Sequence, residues 1–177
     1  YRHIPFQYSL HAQASPGADL EHHSWIWDGK GDAREEMMNR LPGLLGRSGS
    51  IMVYNQTFEA HRLEESAEFL GRHKKWVEAA IERMVDLYAV FRSFTVYHPA
   101  QHGHASLKSV LPALTGTGYD KLAIRDGDHA STEYLRVMFG KAASAADRET
   151  VRKRLEEYCG LDTMAMVKIV RVLEEMR

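Results

Sequence analysis

An α/β layered domain is the fold class this sequence predicts, on three observations. Two strand-like runs open the chain, one short apolar run lies near residue 50, and helical periodicity fills most of the second half. With 177 residues, 44% of them apolar, the chain can bury one sizeable core, so a single domain over 1–177 is expected. The formal net charge of −1 gives no basic footprint, so any grip on nucleic acid must come from local patches or from parts of a longer protein. One cysteine, Cys159, excludes an intrachain disulfide. No apolar run approaches the length of a membrane span or signal core, and these features together predict a reduced, soluble, cytoplasmic protein.

Residues 4–13 read as a strand, SPGAD (15–19) as a turn and Leu20 to Trp27 as a second strand with Trp25 and Trp27 on one face, which predicts a hairpin. Gly29 and Gly31 end it, Asp32 is the candidate N-cap, and Met37, Met38, Leu41 and Leu44 give helical periodicity over Ala33–Leu45, with Pro42 positioned to kink the last turn. SIMVYN (50–55) is a continuous apolar run of the kind expected for a central strand covered on both faces. Helical sequence follows over Gln56–Leu70. Lys75 to Phe94 reads as one or two helices, although VDLYAVF equally suits a short strand or turn. TVYHPAQHGHAS is a loop, Leu107–Leu114 a helix that tolerates Pro112 only near its start, and TGTGYDKLAIRDGDHA a second loop. Ser131–Phe139 and Asp147–Met176 are the last helices, the final one open to a break at Gly160.

Two features carry chemistry. On the last helix, Val151, Leu155, Tyr158, Cys159, Asp162, Ala165, Met166, Ile169 and Leu173 form an apolar stripe in which Asp162 is the only acid. Tyr158 and Asp162 are one helical turn apart and point the same way. An ionised carboxylate on such a face needs a partner, a cap or a metal. A cap after a break at Gly160 is possible, but the residue three positions on is Ala165 rather than the glutamate or glutamine of a capping box. The second feature is YNQTFE (54–59), with Asn55 at the carboxyl end of the predicted central strand and Glu59 in the first helical turn after it. Open α/β sheets bind ligands at that end, yet Asn55 could simply cap the helix and Glu59 complement its dipole.

The order of elements, with N-x-x-F-E after the central strand and Y-x-x-x-D on the final helix, resembles the DnaQ-like 3′–5′ exonucleases of the ribonuclease H-like superfamily. VYNQTFEAHRL, HASLKSVLPAL and YCGLDTMAM look like the versions found in an uncharacterised domain that follows a RecB-like nuclease region in many bacterial proteins. The resemblance covers nearly the whole chain. It implies a mixed sheet flanked by helices, a site for two magnesium or manganese ions, and DNA or RNA as substrate. It further implies Glu59 and Asp162 as metal ligands and Tyr158 as the residue orienting the attacking water. Asn55 and Phe58 match the family's second motif and become candidate substrate contacts, as does Lys108, which could instead face solvent.

Two departures bear on activity. Glu59 stands where most of that superfamily has aspartate, and the D-x-E acids of a first strand are absent, since Asp19-Leu20-Glu21 lies at a hairpin turn. The chain therefore reads as an N-terminally truncated fragment whose remaining acids lie upstream of Tyr1. The alternative function is a degenerate nuclease fold that binds nucleic acid, or docks against the upstream nuclease region, without cleaving. Among other candidates, His98, His102 and His104 have a spacing that could bind zinc with His129 or an acid, although such loops are more often solvated. Cys159 reads as a small core residue rather than a nucleophile. Arg152, Lys153 and Arg154 read as a solvated helix face that could reach a nucleic-acid backbone.

Overall fold

Alternation at the start of the chain produces a hairpin in the computed structural model, which describes residues 3–176. Strand β1 (Gln7–Gln13) pairs antiparallel with β2 (Leu20–Ile26), opposing Tyr8 to Trp25 and His11 to His22. The first strand starts at Gln7 rather than Ile4, after Pro5, whose missing N–H suits it to a strand's approach rather than its ladder. Six residues then lead into helix α1 (Ala33–Leu45), where Asp32 is the N-cap, its carboxylate accepting from the Arg34 backbone N–H at 2.9 Å. Pro42 lies inside the last turn of α1.

Strand β3 (Ile51–Val53) is followed by helices α2 (Gln56–Leu70) and α3 (Lys74–Glu82), strand β4 (Met84–Asp86) and helix α4 (Leu87–Arg92). Of the two options for VDLYAVF, the structure has both a short strand and a helix. A 3-10 turn (Pro99–Gln101) and helix α5 (Leu107–Thr115) complete this half, and α5 runs through Pro112 as its sixth residue. Helix α6 (Gly127–Phe139) starts four residues earlier than periodicity indicates, because Asp126 caps it by accepting from His129 N at 2.7 Å. Helix α7 (Ala145–Glu175) is unbroken through Gly160 and opens with a capping box in which Ser144 and Asp147 satisfy each other's backbone N–H groups. Asp162 is thus a mid-helix residue and caps nothing.

The described strands form two small sheets, the antiparallel β1–β2 pair and a parallel β3–β4 pair in which Ile51, Met52 and Val53 oppose Met84, Val85 and Asp86. The apolar run SIMVYN is therefore a three-residue strand with one neighbour among the described residues, and only Val53 of the three is buried. A central strand covered on both faces is not what these residues form.

The chain divides into two compact units. The first holds Lys30–Leu114 and the described residues up to Phe6. Its core includes Met38, Val77, Leu87, Phe91, Val110 and Leu111. Arg83 ties its parts together, its guanidinium donating to the backbone carbonyls of Leu45 and Ser48 while its own carbonyl accepts from Ile51 N. Such bonds satisfy carbonyls that a helix end leaves orphaned. The second unit holds Gln7–Gly29 and Thr115–Arg177, with the hairpin, α6 and α7 packed around Trp25, Ile26, Ile124, Tyr134, Val151, Leu155 and Ile169. Gln7 Nε2 donates to Leu155 O at 2.8 Å, fixing the hairpin on α7.

Glycine inside a helix costs about 1 kcal/mol relative to alanine. A Cβ at Gly160 would lie 3.5 Å from His22 Cε1, an ordinary van der Waals contact. Gly160→Ala is therefore expected to stabilise the protein by about 1 kcal/mol. Urea unfolding would show this as a raised midpoint, and a lowered one would mean the hairpin needs the bare backbone there.

Candidate functional site

In the second unit the apolar stripe of α7 places Tyr158 and Asp162 on the face turned toward the unit's interior, with Tyr158 buried and Asp162 half-buried. The carboxylate finds its partners in phenols. Tyr119, from the segment between α5 and α6, donates its hydroxyl to Asp162 Oδ1 at 2.6 Å. Tyr158 also hydrogen-bonds Asp162, and the two rings lie 6.3 Å apart at 56°. Burial, and then the charge of Asp162, push the Tyr158 phenol well above its ordinary range, so it stays protonated. The same two causes push the half-buried Cys159 thiol up to about 12, which leaves it inert near neutral pH, in line with a packing role.

Beside Asp162 lies a polar cluster that the sequence reading did not single out. Thr163 Oγ1 is 2.8 Å from Ser9 Oγ and 2.9 Å from His11 Nδ1, and Ser9 Oγ is 2.8 Å from His22 Nε2. The His11 and His22 rings stack at 4.3 Å, as their opposed register dictates. The Cys159 and Gly160 carbonyls lie 3.3 Å from Thr163 Oγ1 as well, and with one proton to give the hydroxyl can donate to only one of its four neighbours. Burial and the neighbouring His22 hold the His11 imidazole below its usual value. The available signal was the alternation of Ser9 with His11 on one strand face.

The first unit holds the other predicted residues. Asn55 occupies the N-cap position of α2 in a left-handed conformation (φ 77°), but its side chain makes no capping bond. Its backbone N–H instead donates to Asp86 Oδ1 at 2.9 Å, and the same oxygen accepts from Tyr88 N at 3.0 Å, capping α4. The simple capping account of Asn55 therefore fails. Asp86 is a second residue that sequence reasoning missed, hidden in the ambiguous VDLYAVF segment. Glu59, one turn into α2, has a buried Oε2 without a hydrogen-bond partner. Burial raises its carboxyl to about 7, its own backbone N–H works against that, and the charge of Asp86 adds to it. Phe58 is 57% exposed, with the Arg62 guanidinium 5.5 Å from its ring centre. Lys108 is exposed on α5.

Of the loop histidines, His98 has a structural duty for its ring. His98 Nδ1 accepts from Ala100 N, while buried Gln101 accepts from His98 N and donates to His104 O. His129 stands on α6. Arg152 and Lys153 pair along α7 with Glu156 and Glu149, as residues of a solvated face do. Among the described residues, no three His, Cys, Asp or Glu side chains gather into a group that could hold a metal ion. The donors at Glu59 in the first unit and at Asp162 in the second are oxygens of the type hard divalent cations take, and Glu59 Oε2 is buried without a hydrogen-bond partner. Either carboxylate is of a type that suits magnesium or manganese, while one carboxylate falls short of what a tightly held ion needs.

These features define a mixed α/β protein with small sheets and a phenol-held carboxylate on its longest helix. Residues 1–106 match the family described as Domain of unknown function (DUF2779), and the chain belongs to that family. It is 28% identical over 139 residues to the uncharacterized protein MG366 of Mycoplasma genitalium, an alignment covering 72% of this chain and 21% of that protein. It is 30% identical over 132 residues to the MG366 homolog of Mycoplasma pneumoniae, covering 68% of this chain and 20% of that one. The chain thus spans about a fifth of the length of these curated relatives. No solved structure matches it. Among the described residues, no helix is long and apolar enough to cross a membrane.

Proposed function

We propose that this chain is a DnaQ-like domain of the ribonuclease H-like superfamily, working within a longer protein as a metal-dependent 3′–5′ exonuclease on DNA or RNA. The observation that carries the reading is Asp162, a carboxylate on a largely apolar helix face, bonded to Tyr119 and Tyr158. In this reading Asp162 and Glu59 are cation ligands, and Tyr158 orients the attacking water. Phe58, exposed at the start of α2, meets a base or sugar, with Asn55 and Lys108 as polar contacts. Magnesium or manganese, when bound, supplies the charge that activates water and stabilises the departing oxygen of a phosphodiester. Neither Glu59 nor Asp162 by itself makes a two-ion site, so the remaining carboxylates come from the longer protein, whose RecB-like nuclease region is the proposed neighbour. The 177-residue chain by itself then binds manganese weakly and has little activity.

A 5′-labelled single strand of DNA, or of RNA, incubated with the longer protein and manganese tests this. The expected result is stepwise shortening from the 3′ end that stops when EDTA is added. Binding without shortening would replace the enzyme with a nucleic-acid-binding module. Tight calorimetric binding of two manganese ions by the 177-residue chain would overturn the argument from missing acids.

A further inference from the structure

We propose that the outer edge of β3 is a docking site for an extended apolar strand, supplied by the longer protein from outside residues 1–177, which makes β3 an interior strand there. The site lies within the first unit and is independent of the nuclease reading. In a parallel pair each strand turns the peptide groups of alternate residues toward its neighbour. Ile51 N donates to Arg83 O at 2.9 Å and Ile51 opposes Met84, so Ile51 and Val53 turn theirs toward β4. The N–H and C=O of Met52 therefore point away from β4, and among the described residues no backbone partner meets them.

The side chains suit an interior place as well. Ile51 and Val53 lie on one face and Met52 on the other, with Val53 buried and the other two half-buried, so both faces are apolar and partly covered. Edge strands are normally blunted by charge or proline. SIMVYN (50–55) carries neither, whereas β4 follows Glu82 and Arg83 and ends in Asp86, and this contrast selects the edge of β3 over that of β4. The chain spans about a fifth of the length of its curated relatives, so most of the longer protein lies outside it. A segment of that protein is tethered to the same molecule and meets the edge at high effective concentration. A second copy has no such advantage and brings only another three-residue strand. A strand docked between covered faces is a near-continuous apolar run.

Amide hydrogen exchange resolved by residue tests this in the longer protein, with Met52 as the reporter. The expected result is protection of Met52 within about tenfold of Ile51 and Val53, independent of protein concentration, and lower by about 100-fold in the 177-residue chain by itself. Fast exchange of Met52 between a protected Ile51 and Val53 would overturn the proposal. Equal protection in the 177-residue chain would do the same by placing the partner inside it, and protection lost on dilution of a dimer would make the partner a second copy. Should the shorter chain not fold, proline substitution in the longer protein decides. Met52→Pro must then lower Tm as Ile51→Pro does, because both N–H groups serve a ladder. A Met52→Pro tolerated as proline is on an edge strand would refute the docked strand.

Discussion

Under the nuclease reading proposed above, Asp162→Asn is expected to lower exonuclease turnover of the longer protein at least about 100-fold, a loss of about 2.7 kcal/mol of transition-state stabilisation. Asparagine keeps an Oδ1 that can accept from Tyr119 at the same place, so packing and the phenol bond are nearly preserved. What disappears is the charge that would attract a cation. A structural effect would show in unfolding and an effect on chemistry in kcat, so urea unfolding within about 1 kcal/mol of the parent is part of the expected result. The thiol next door gives an independent check. Burial is the main cause of its raised pKa and Asp162 the second, so Cys159 should titrate below its present value of about 12 in the variant while staying above an ordinary cysteine. Parent-like hydrolysis by Asp162→Asn would remove Asp162 from the mechanism.

Glu59→Gln should stabilise the first unit at pH 8 by about 2–3 kcal/mol and by almost nothing at pH 4. The folded protein raises this carboxyl from 4.5 to about 7, so it holds the proton more tightly than the unfolded chain does. Stability associated with the group is therefore complete below pH 4.5 and is lost as pH rises through about 7. Above that, a negative charge is buried with one oxygen unpartnered, and a neutral amide escapes most of this cost. Urea unfolding of both proteins from pH 4 to 8 would check it, with the parent curve falling and the variant curve flatter. Parallel curves would mean the carboxylate is already compensated.

Sequence legibility differed between the units for physical reasons. Ala33–Leu45 and Gln56–Leu70 were readable to the residue because Asp32, Gly46 and Gly71 mark their ends and apolar residues recur at helical spacing. Gly160 misled because its propensity cost is small beside the packing of a 31-residue helix whose buried face continues on both sides of it. The length of β3 was overstated because an apolar run does not reveal how many neighbours a strand has. In the candidate site, Tyr158 and Asp162 were legible since helix geometry fixes their common face. Tyr119 was not, because it arrives from an irregular loop 43 residues before Asp162 with no periodicity to announce it. Asp86 and the Ser9, His11, His22 and Thr163 cluster were hidden likewise, being assembled by strand pairing and packing rather than by spacing.

The single oxygen of Asp86 that receives both Asn55 and Tyr88 sets an order of assembly. Turns of α2 form from residues four apart, on a submicrosecond scale of about 0.1–1 μs. The Asn55–Asp86 bond joins residues 31 apart and closes a loop that contains α2 and α3. Closing that loop costs entropy before any non-local contact returns it. Glu59 therefore meets the neighbouring charge of Asp86 only when β3 and β4 align. During synthesis the residues of α2 leave the ribosome before Asp86 does, so the two acids meet only after the segment between them has emerged.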